Sequence, residues 1–201
     1  MKKLLLTGFE PFLDYPINPT EIIVKELDGK RIGNYEIKGL HLPVDFEQGP
    51  KKIVEAAASE KPDAVISLGL AAGRTAITPE RIAINCQDGE PDNSGFSPED
   101  KRIEENGPDG YFSTLPIRRM VNSLKESGYP SSISNTAGTY LCNNVMYSVL
   151  HELKAAGRNI PAGFVHIPAS HALAAASKKS MASWSDADLL KAITIIIEVL
   201  D

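Results

Sequence analysis

Hydrophobic and polar positions along this 201-residue chain alternate between two rhythms. Short runs of strand-forming residues occur at Lys3–Thr7, Tyr35–Pro43, Ala64–Leu70, Thr75–Asn85, Ser132–Asn135 and Gly163–Ile167. Between them lie segments whose apolar residues recur at helical spacing, with start and stop signals of their own. Pro19–Leu27 has Asn18 as a cap and proline at its opening position. Phe46–Ser59 follows a capping Asp45, Pro116–Ser127 stops at Gly128, Thr139–Ala156 stops at Gly157, and Asp186–Val199 starts behind Ser185. Strands and helices in alternation predict an α/β fold with the strands in the middle and helices on both faces. Gln87–Gly110, rich in Asp, Asn, Pro, Gly and Ser, fits neither rhythm and reads as a long irregular excursion, the kind of loop that is functional or mobile.

Length and composition narrow this to one domain over residues 1–201, since 42% apolar content suffices for one substantial core and the length does not call for two. The net charge is −5 with both signs interspersed, so neither nucleic acid nor an anionic membrane is an expected partner. Leu4-Leu5-Leu6 is cut off by Thr7-Gly8 and Glu10, too soon for a signal peptide, and Leu189–Leu200 carries Lys191 and Glu198 and is too short to span a bilayer. Two cysteines are too few for a disulfide framework, which fits a reducing, cytoplasmic setting.

Candidate chemistry gathers where strands run out. Thr7-Gly8-Phe9-Glu10-Pro11-Phe12, Gly69-Leu70-Ala71-Ala72-Gly73-Arg74, Asn135-Thr136-Ala137-Gly138-Thr139 and His166-Ile167-Pro168-Ala169-Ser170-His171 all follow strand candidates. Ligands of α/β sheets bind outside the carboxyl ends of strands, so these segments are expected to share a cleft. Cys142 lies near the start of the helix that opens at Gly138-Thr139, where unpaired N–H groups and the helix dipole are expected to lower its pKa and activate it as a nucleophile. Cys86, after Ile82-Ala83-Ile84, reads as structural.

A nucleophilic thiol needs a base. His151 is nine residues along the same helix and therefore on its opposite side, and His41 has no motif beside it. His166, at the end of Gly163–Ile167, is the choice, with His171 in reserve, although a histidine in such a strand is more often a satisfied core residue. Glu80 interrupts an otherwise apolar and β-branched run, and a carboxylate there needs a partner: either His166, as the acid that orients it, or a salt bridge to Arg74 or Arg81. No His or Cys pair stands at metal-ligand spacing and the acidic Gln87–Asp109 stretch lacks an EF-hand pattern, so no metal is expected.

With these residues in hand, the chain resembles the pyroglutamyl peptidase I family (pyrrolidone-carboxylate peptidases) over nearly its whole length. The resemblance rests on Thr7-Gly8-Phe9-Glu10-Pro11-Phe12 with Asn18-Pro19, Gly73-Arg74 with Pro79-Glu80-Arg81-Ile82-Ala83-Ile84-Asn85, Ala137-Gly138-Thr139-Tyr140-Leu141-Cys142-Asn143-Asn144, and Gly163-Phe164-Val165-His166-Ile167-Pro168. It implies a three-layer α/β/α sandwich around a mixed, largely parallel twisted sheet, Cys142 as nucleophile, His166 as general base and then acid, and Glu80 as the residue that orients His166. It also implies cleavage after an N-terminal pyroglutamyl residue of peptides, no cofactor, and a homo-oligomer, commonly a tetramer. Phe9 and Phe12 suit the walls of a pocket for a neutral lactam, and the resemblance places Tyr140 and Leu141 beside the ring. The chain departs from the family pattern at Leu70, where bacterial relatives often carry Gln, and at Gly89-Glu90-Pro91, where they carry Arg. Those departures motivate a rival reading, a catalytically weak small-molecule or peptide-binding protein that keeps the fold.

Overall fold

The computed structural model describes residues 1–200. In chain order the elements are β1 (Lys2–Phe9), α1 (Pro19–Leu27), β2 (Arg31–Ile32), β3 (Tyr35–Leu42), α2 (Gln48–Glu60), β4 (Ala64–Leu70), β5 (Thr78–Pro79), β6 (Ile82–Ile84), β7 (Gly110–Phe112), α3 (Ile117–Glu126), α4 (Leu141–Ala155), β8 (Ala162–Ile167), β9 (Ala169–Ser170), α5 (His171–Ala176), β10 (Ser183–Trp184) and α6 (Asp186–Glu198). The main sheet has strand order β2-β3-β1-β4-β8-β5, with β3, β1, β4 and β8 parallel and the short edge strands β2 and β5 antiparallel to their neighbours.

The alternation of side chains along each central strand builds the layers. Leu4 and Leu6 of β1, Ile66 and Leu68 of β4 and Val165 and Ile167 of β8 join one apolar cluster with Ile23 of α1, Met120 of α3 and Ile193 of α6. Leu5, Phe9, Val65 and Phe164, from the same strands, enter a second cluster with Ile53 of α2 and Val145 of α4. A sheet covered on both faces needs apolar residues at consecutive positions, which is why β1, β4 and β8 read as solid runs in the sequence. The result is the expected three-layer α/β/α arrangement. After β1 the chain crosses by α1 to β3 on one side of it, then by α2 to β4 on the other, so the direction of winding reverses beside β1.

Helix ends follow their signals. The Asn18 side chain accepts from Thr20 N, Pro19 occupies the first turn, and the Ser185 side chain accepts from Asp188 N. Asp45 takes Glu47 N and Gln48 N at 2.9 and 2.7 Å, so it closes a turn ahead of α2, whose regular part begins at Gln48 rather than Phe46. α4 begins at Leu141, two residues later than the expected Thr139, after Gly138 at φ 78°, a left-handed conformation that favours glycine.

Two strand expectations are corrected. Thr75–Asn85 is divided between β5 on the main sheet and β6, which pairs with β7 in a separate ribbon. Pro79 has no N–H to continue a ladder, and the break lets Glu80 turn inward. Ser132–Asn135 is not a strand; Ser131 and Ser134 form isolated parallel bridges to Ile77 and Glu80 on either side of the same proline. Gln87–Gly110 is largely irregular but fastened: Gln87 and Lys101 pair, and the buried Asp92 carboxylate collects the N–H groups of Phe46, Ser94 and Phe96. The C-terminal apolar run is no free surface, because Ile193, Ile195, Ile196, Ile197, Val199 and Leu200 are all buried in the first cluster. Among the described residues no helix is long and apolar enough to cross a membrane.

Candidate active site

The carboxyl ends of β1, β4 and β8 lie side by side, and four groups converge there. His166 is the penultimate residue of β8 and sits opposite Gly69 of β4 on one side and Thr78 of β5 on the other. Cys142 is the second residue of α4, and its Sγ lies only 3.0 Å from where a side chain on Gly69 would begin, which puts the thiol over the strand pair that carries His166. The same imaginary Cβ would stand 2.6 Å from the Phe164 ring, whose centroid is 4.9 Å from that of His166. Gly69 is therefore the space into which the sulfur and the aromatic ring fit.

Glu80 is fully buried, its N–H fixed to Phe164 O at 2.9 Å. Its Oε1 meets His166 Nδ1 at 2.6 Å and Arg74 Nη1 at 2.7 Å, and the Arg74 guanidinium also bonds Thr78 Oγ1. The two roles weighed for Glu80 are thus filled together: it holds His166 and bridges to Arg74, while Arg81 turns to Asn135 at 2.7 Å. Because Nδ1 faces a carboxylate it carries the proton, and Nε2 is left as an acceptor.

Electrostatics set the resting protonation. Burial pushes the Cys142 thiol up to about 12, the negative charge of Glu80 adds to this, and Arg74 only partly opposes it. This reverses the expectation of a lowered thiol pKa, because desolvation outweighs the helix dipole. Burial also lowers the His166 pKa, against the hydrogen bond and charge of Glu80. Burial works against ionisation of Glu80 too, but the hydrogen bond and charge of His166, with the nearby Ser134 side chain and Arg74, hold it below the ordinary carboxylate range. With His166 neutral its charge no longer helps, yet the Nδ1–H and guanidinium donors remain, so Glu80 stays ionised. The resting site is a neutral thiol beside a neutral imidazole, with a carboxylate and guanidinium pair behind them.

Next to the thiol is a small, nearly all-apolar pocket walled by Phe9, Phe12, Val44, Leu70, Tyr140 and Leu141, with Asn18 at its edge. The four side chains expected to wall a lactam site are all there, although Phe9 and Leu141 also belong to the core. The Asn18 amide is oriented by its own bonds, donating one N–H to Glu10 O and accepting from Thr20 N and Oγ1. Leu70 forms part of the wall, and the Gly89-Glu90-Pro91 loop wraps Tyr140, whose hydroxyl donates to Pro91 O at 3.2 Å. A wider depression of about 500 Å³ beside Tyr111 and Lys154 has no cysteine, histidine or carboxylate in its lining.

Residues that the sequence did not single out hold α4 in place. Asn143 Oδ1 accepts from Ile84 N, and its Nδ2 donates to Ile84 O and Cys86 O, each at 2.9 Å. Asn144 Nδ2 donates to Gln87 Oε1 at 3.0 Å. Two asparagines straight after the thiol were the available signal, since buried amides demand partners. Tyr140, at the N-cap, makes no side-chain cap, so the first-turn N–H groups of α4 are left for other acceptors. The remaining histidines lie outside the cluster. His151 shares a 2.9 Å hydrogen bond with Tyr111 and stacks on Tyr147, and exposed His171 bonds Ser183 Oγ at 2.9 Å. The Cys86 thiol pKa is raised by burial and then by Asp100 and Asp88, and its carbonyl serves Asn143.

A thiol at a helix start, an imidazole nearby and a buried carboxylate on Nδ1, all on the carboxyl edge of an α/β sheet, are the groups that thiol hydrolases working by acyl transfer require. The family model described as pyroglutamyl peptidase matches residues 2–201. The pyrrolidone-carboxylate peptidase of Oceanobacillus iheyensis is 55% identical over 201 residues, covering 100% of both chains, and that of Halalkalibacterium halodurans is 52% identical over 198 residues, 98% of each. The solved pyrrolidone carboxyl peptidase of Thermococcus litoralis superposes with a TM-score of 0.96 at 41% identity, covering 100% of this chain and 93% of that one. The chain belongs to the pyroglutamyl peptidase family.

Proposed function

We propose that Cys142, His166 and Glu80 are the catalytic residues of this peptidase and that it removes an N-terminal pyroglutamyl residue from peptides. The observation that carries the assignment is the buried 2.6 Å contact between His166 Nδ1 and Glu80 Oε1, with His166 paired across the sheet to Gly69, the residue the Cys142 thiol packs against. Since thiol and imidazole are neutral at rest, attack and proton transfer go together: Sγ adds to the pyroglutamyl carbonyl as its proton passes to His166 Nε2. The tetrahedral oxyanion is taken by the uncapped N–H groups at the start of α4. His166 then gives its proton to the departing amine, leaving a thioester. A water deprotonated by His166 adds to the thioester, and collapse releases pyroglutamate and restores the thiol. Glu80 keeps the Nδ1 proton in place and stabilises the imidazolium formed in each half-reaction. Pyroglutamate is a neutral lactam without a free amine, which suits the apolar walls of Phe9, Phe12, Tyr140 and Leu141.

The same reading takes residues 1–201 as one catalytic domain, without a cofactor, working in the cytoplasm. It also takes the protein as a homo-oligomer, a tetramer by family resemblance. The exposed Phe112 and Ile84 on the β6–β7 ribbon and Phe96 in the irregular segment support association, which light scattering on the purified protein tests. For the chemistry, the test is hydrolysis of a fluorogenic pyroglutamyl amide. Cys142→Ala abolishes it and Cys86→Ala leaves it nearly unchanged; equal loss in both variants removes Cys142 from its role.

A further inference from the structure

Glu80 uses only half of its carboxylate. Arg74 and His166 both end on Oε1, while the fully enclosed Oε2 has no hydrogen-bond partner. An ionised oxygen left bare in the interior is strongly unfavourable, and buried polar atoms are nearly always paired. A donor stands beside it. Ser134 is the parallel bridge partner of Glu80, with Ser134 N on Pro79 O at 3.0 Å and Arg81 N on Ser134 O at 2.8 Å, so the backbone on both sides of Glu80 is tied to this serine. Its hydroxyl donates to Thr136 O at 3.0 Å and accepts from Thr136 N at 3.4 Å. A hydroxyl has one proton to give, and a turn about the Cα–Cβ bond redirects it. Thr136 is exposed, so water can replace the serine on its carbonyl, whereas no water reaches Oε2. A hydrogen bond to a carboxylate is roughly twice as strong as one to a neutral carbonyl.

We propose that Ser134 is a positioning residue of the reaction, its hydroxyl turning from Thr136 O to donate to Glu80 Oε2, so that both carboxylate oxygens are held while His166 carries the thiol proton. The proposal rests on the triad reading above. The titratable and charged groups that face Glu80 are Arg74 from the loop after β4, His166 from β8 and Cys142 from α4; Arg81 is turned away. Without the serine hydroxyl, Glu80 is more basic and binds the imidazolium more tightly. His166 then takes up a proton at higher pH and passes it on to the departing amine less readily.

Ser134→Ala and Ser134→Thr separate this from a purely structural role. The alanine variant is expected to lose about tenfold in kcat with KM little changed, the scale of one hydrogen bond to a charged group. Its acidic limb of kcat/KM moves to higher pH, and Ser134→Thr restores both. The His166 imidazole titration, followed by NMR in the parent and in Ser134→Ala, shifts upward in the variant. An alanine variant with an unshifted acidic limb and an unshifted His166 titration overturns the proposal, whatever its melting temperature. A parent protein that does not cleave the pyroglutamyl amide, or a Cys142→Ala variant that still does, sinks the triad reading instead. In that case the His166 titration alone decides whether Ser134 governs the Glu80–His166 pair.

Discussion

Gly69 is where packing and chemistry are hardest to separate, and Gly69→Ala puts a number on both. The added methyl would lie 2.6 Å from two atoms of the Phe164 ring and 3.0 Å from Cys142 Sγ. Carbon atoms in contact prefer about 3.5–4.0 Å, so the ring must retreat by about 1 Å and the sulfur by several tenths. Overpacking of this kind costs about 1–3 kcal/mol. For a chain of this length each kcal/mol is about 2–4 °C, which predicts a fall in melting temperature of roughly 2–12 °C. Activity should suffer more than stability. The displaced Phe164 ring presses on His166, 4.9 Å away between centroids, while the methyl pushes the thiol itself. A misplacement of about 1 Å at reacting atoms costs on the order of 10²-fold. The expected result is a folded protein with kcat down by about that factor and KM little changed, because the atoms nearest the new methyl belong to Phe164 and the thiol rather than to the aromatic walls of the pocket. Adding Phe164→Leu relieves the ring and returns part of the lost stability, but the sulfur contact stays and kcat remains low. A Gly69→Ala protein that melts like the parent and turns over within about threefold of it would refute the placement of the thiol over Gly69.

His166→Ala should reduce turnover of the pyroglutamyl amide by about 10²–10⁴-fold, the usual range for a general acid–base residue, while His171→Ala, whose ring bonds Ser183, stays near parent activity; the reverse result in kinetic assays would exchange their roles. The Cys142 thiol, pushed up to about 12 in the folded protein, ionises earlier in the unfolded chain, so the stability it contributes is complete below the ordinary thiol pKa and is lost as pH rises from there towards 12. Cys142→Ser removes that titration, and denaturant melts between pH 8 and 11 should show the variant gaining on the parent by up to about 1.4 kcal/mol per pH unit, less what water reaching the sulfur through the pocket screens; parallel curves would contradict a thiol held neutral by the fold.

Much of the fold was legible because its signals are local. Solid apolar runs give β1, β4 and β8, and Asn18, Pro19 and Ser185 mark helix starts that the structure keeps. The other short strands were not legible: β2, β9 and β10 have two residues each and exist only because a neighbour pairs with them. At the site, motifs and strand ends brought Cys142, His166 and Glu80 forward, and the structure places them together. What the sequence could not convey was balance. The helix dipole does favour a thiolate at Cys142, but how much water the fold removes from Sγ is a property of Phe164, Gly69 and the pocket, which come from distant parts of the chain. The joint hold of Arg74 and His166 on one oxygen of Glu80 likewise depends on how far the chain turns after Pro79.

The protonated resting thiol also bears on how the protein ages. Oxidation to sulfenic acid and attack by electrophiles track thiolate character, so a sulfur that keeps its proton is a slow target for peroxide even when it is the proposed nucleophile. In the proposed reaction, thiolate character develops at Cys142 only as its proton passes to His166, once a substrate carbonyl lies against it. On that mechanism exposure to substrate is separated from exposure to oxidant, and damage to the nucleophile is expected to accumulate with turnover more than with time.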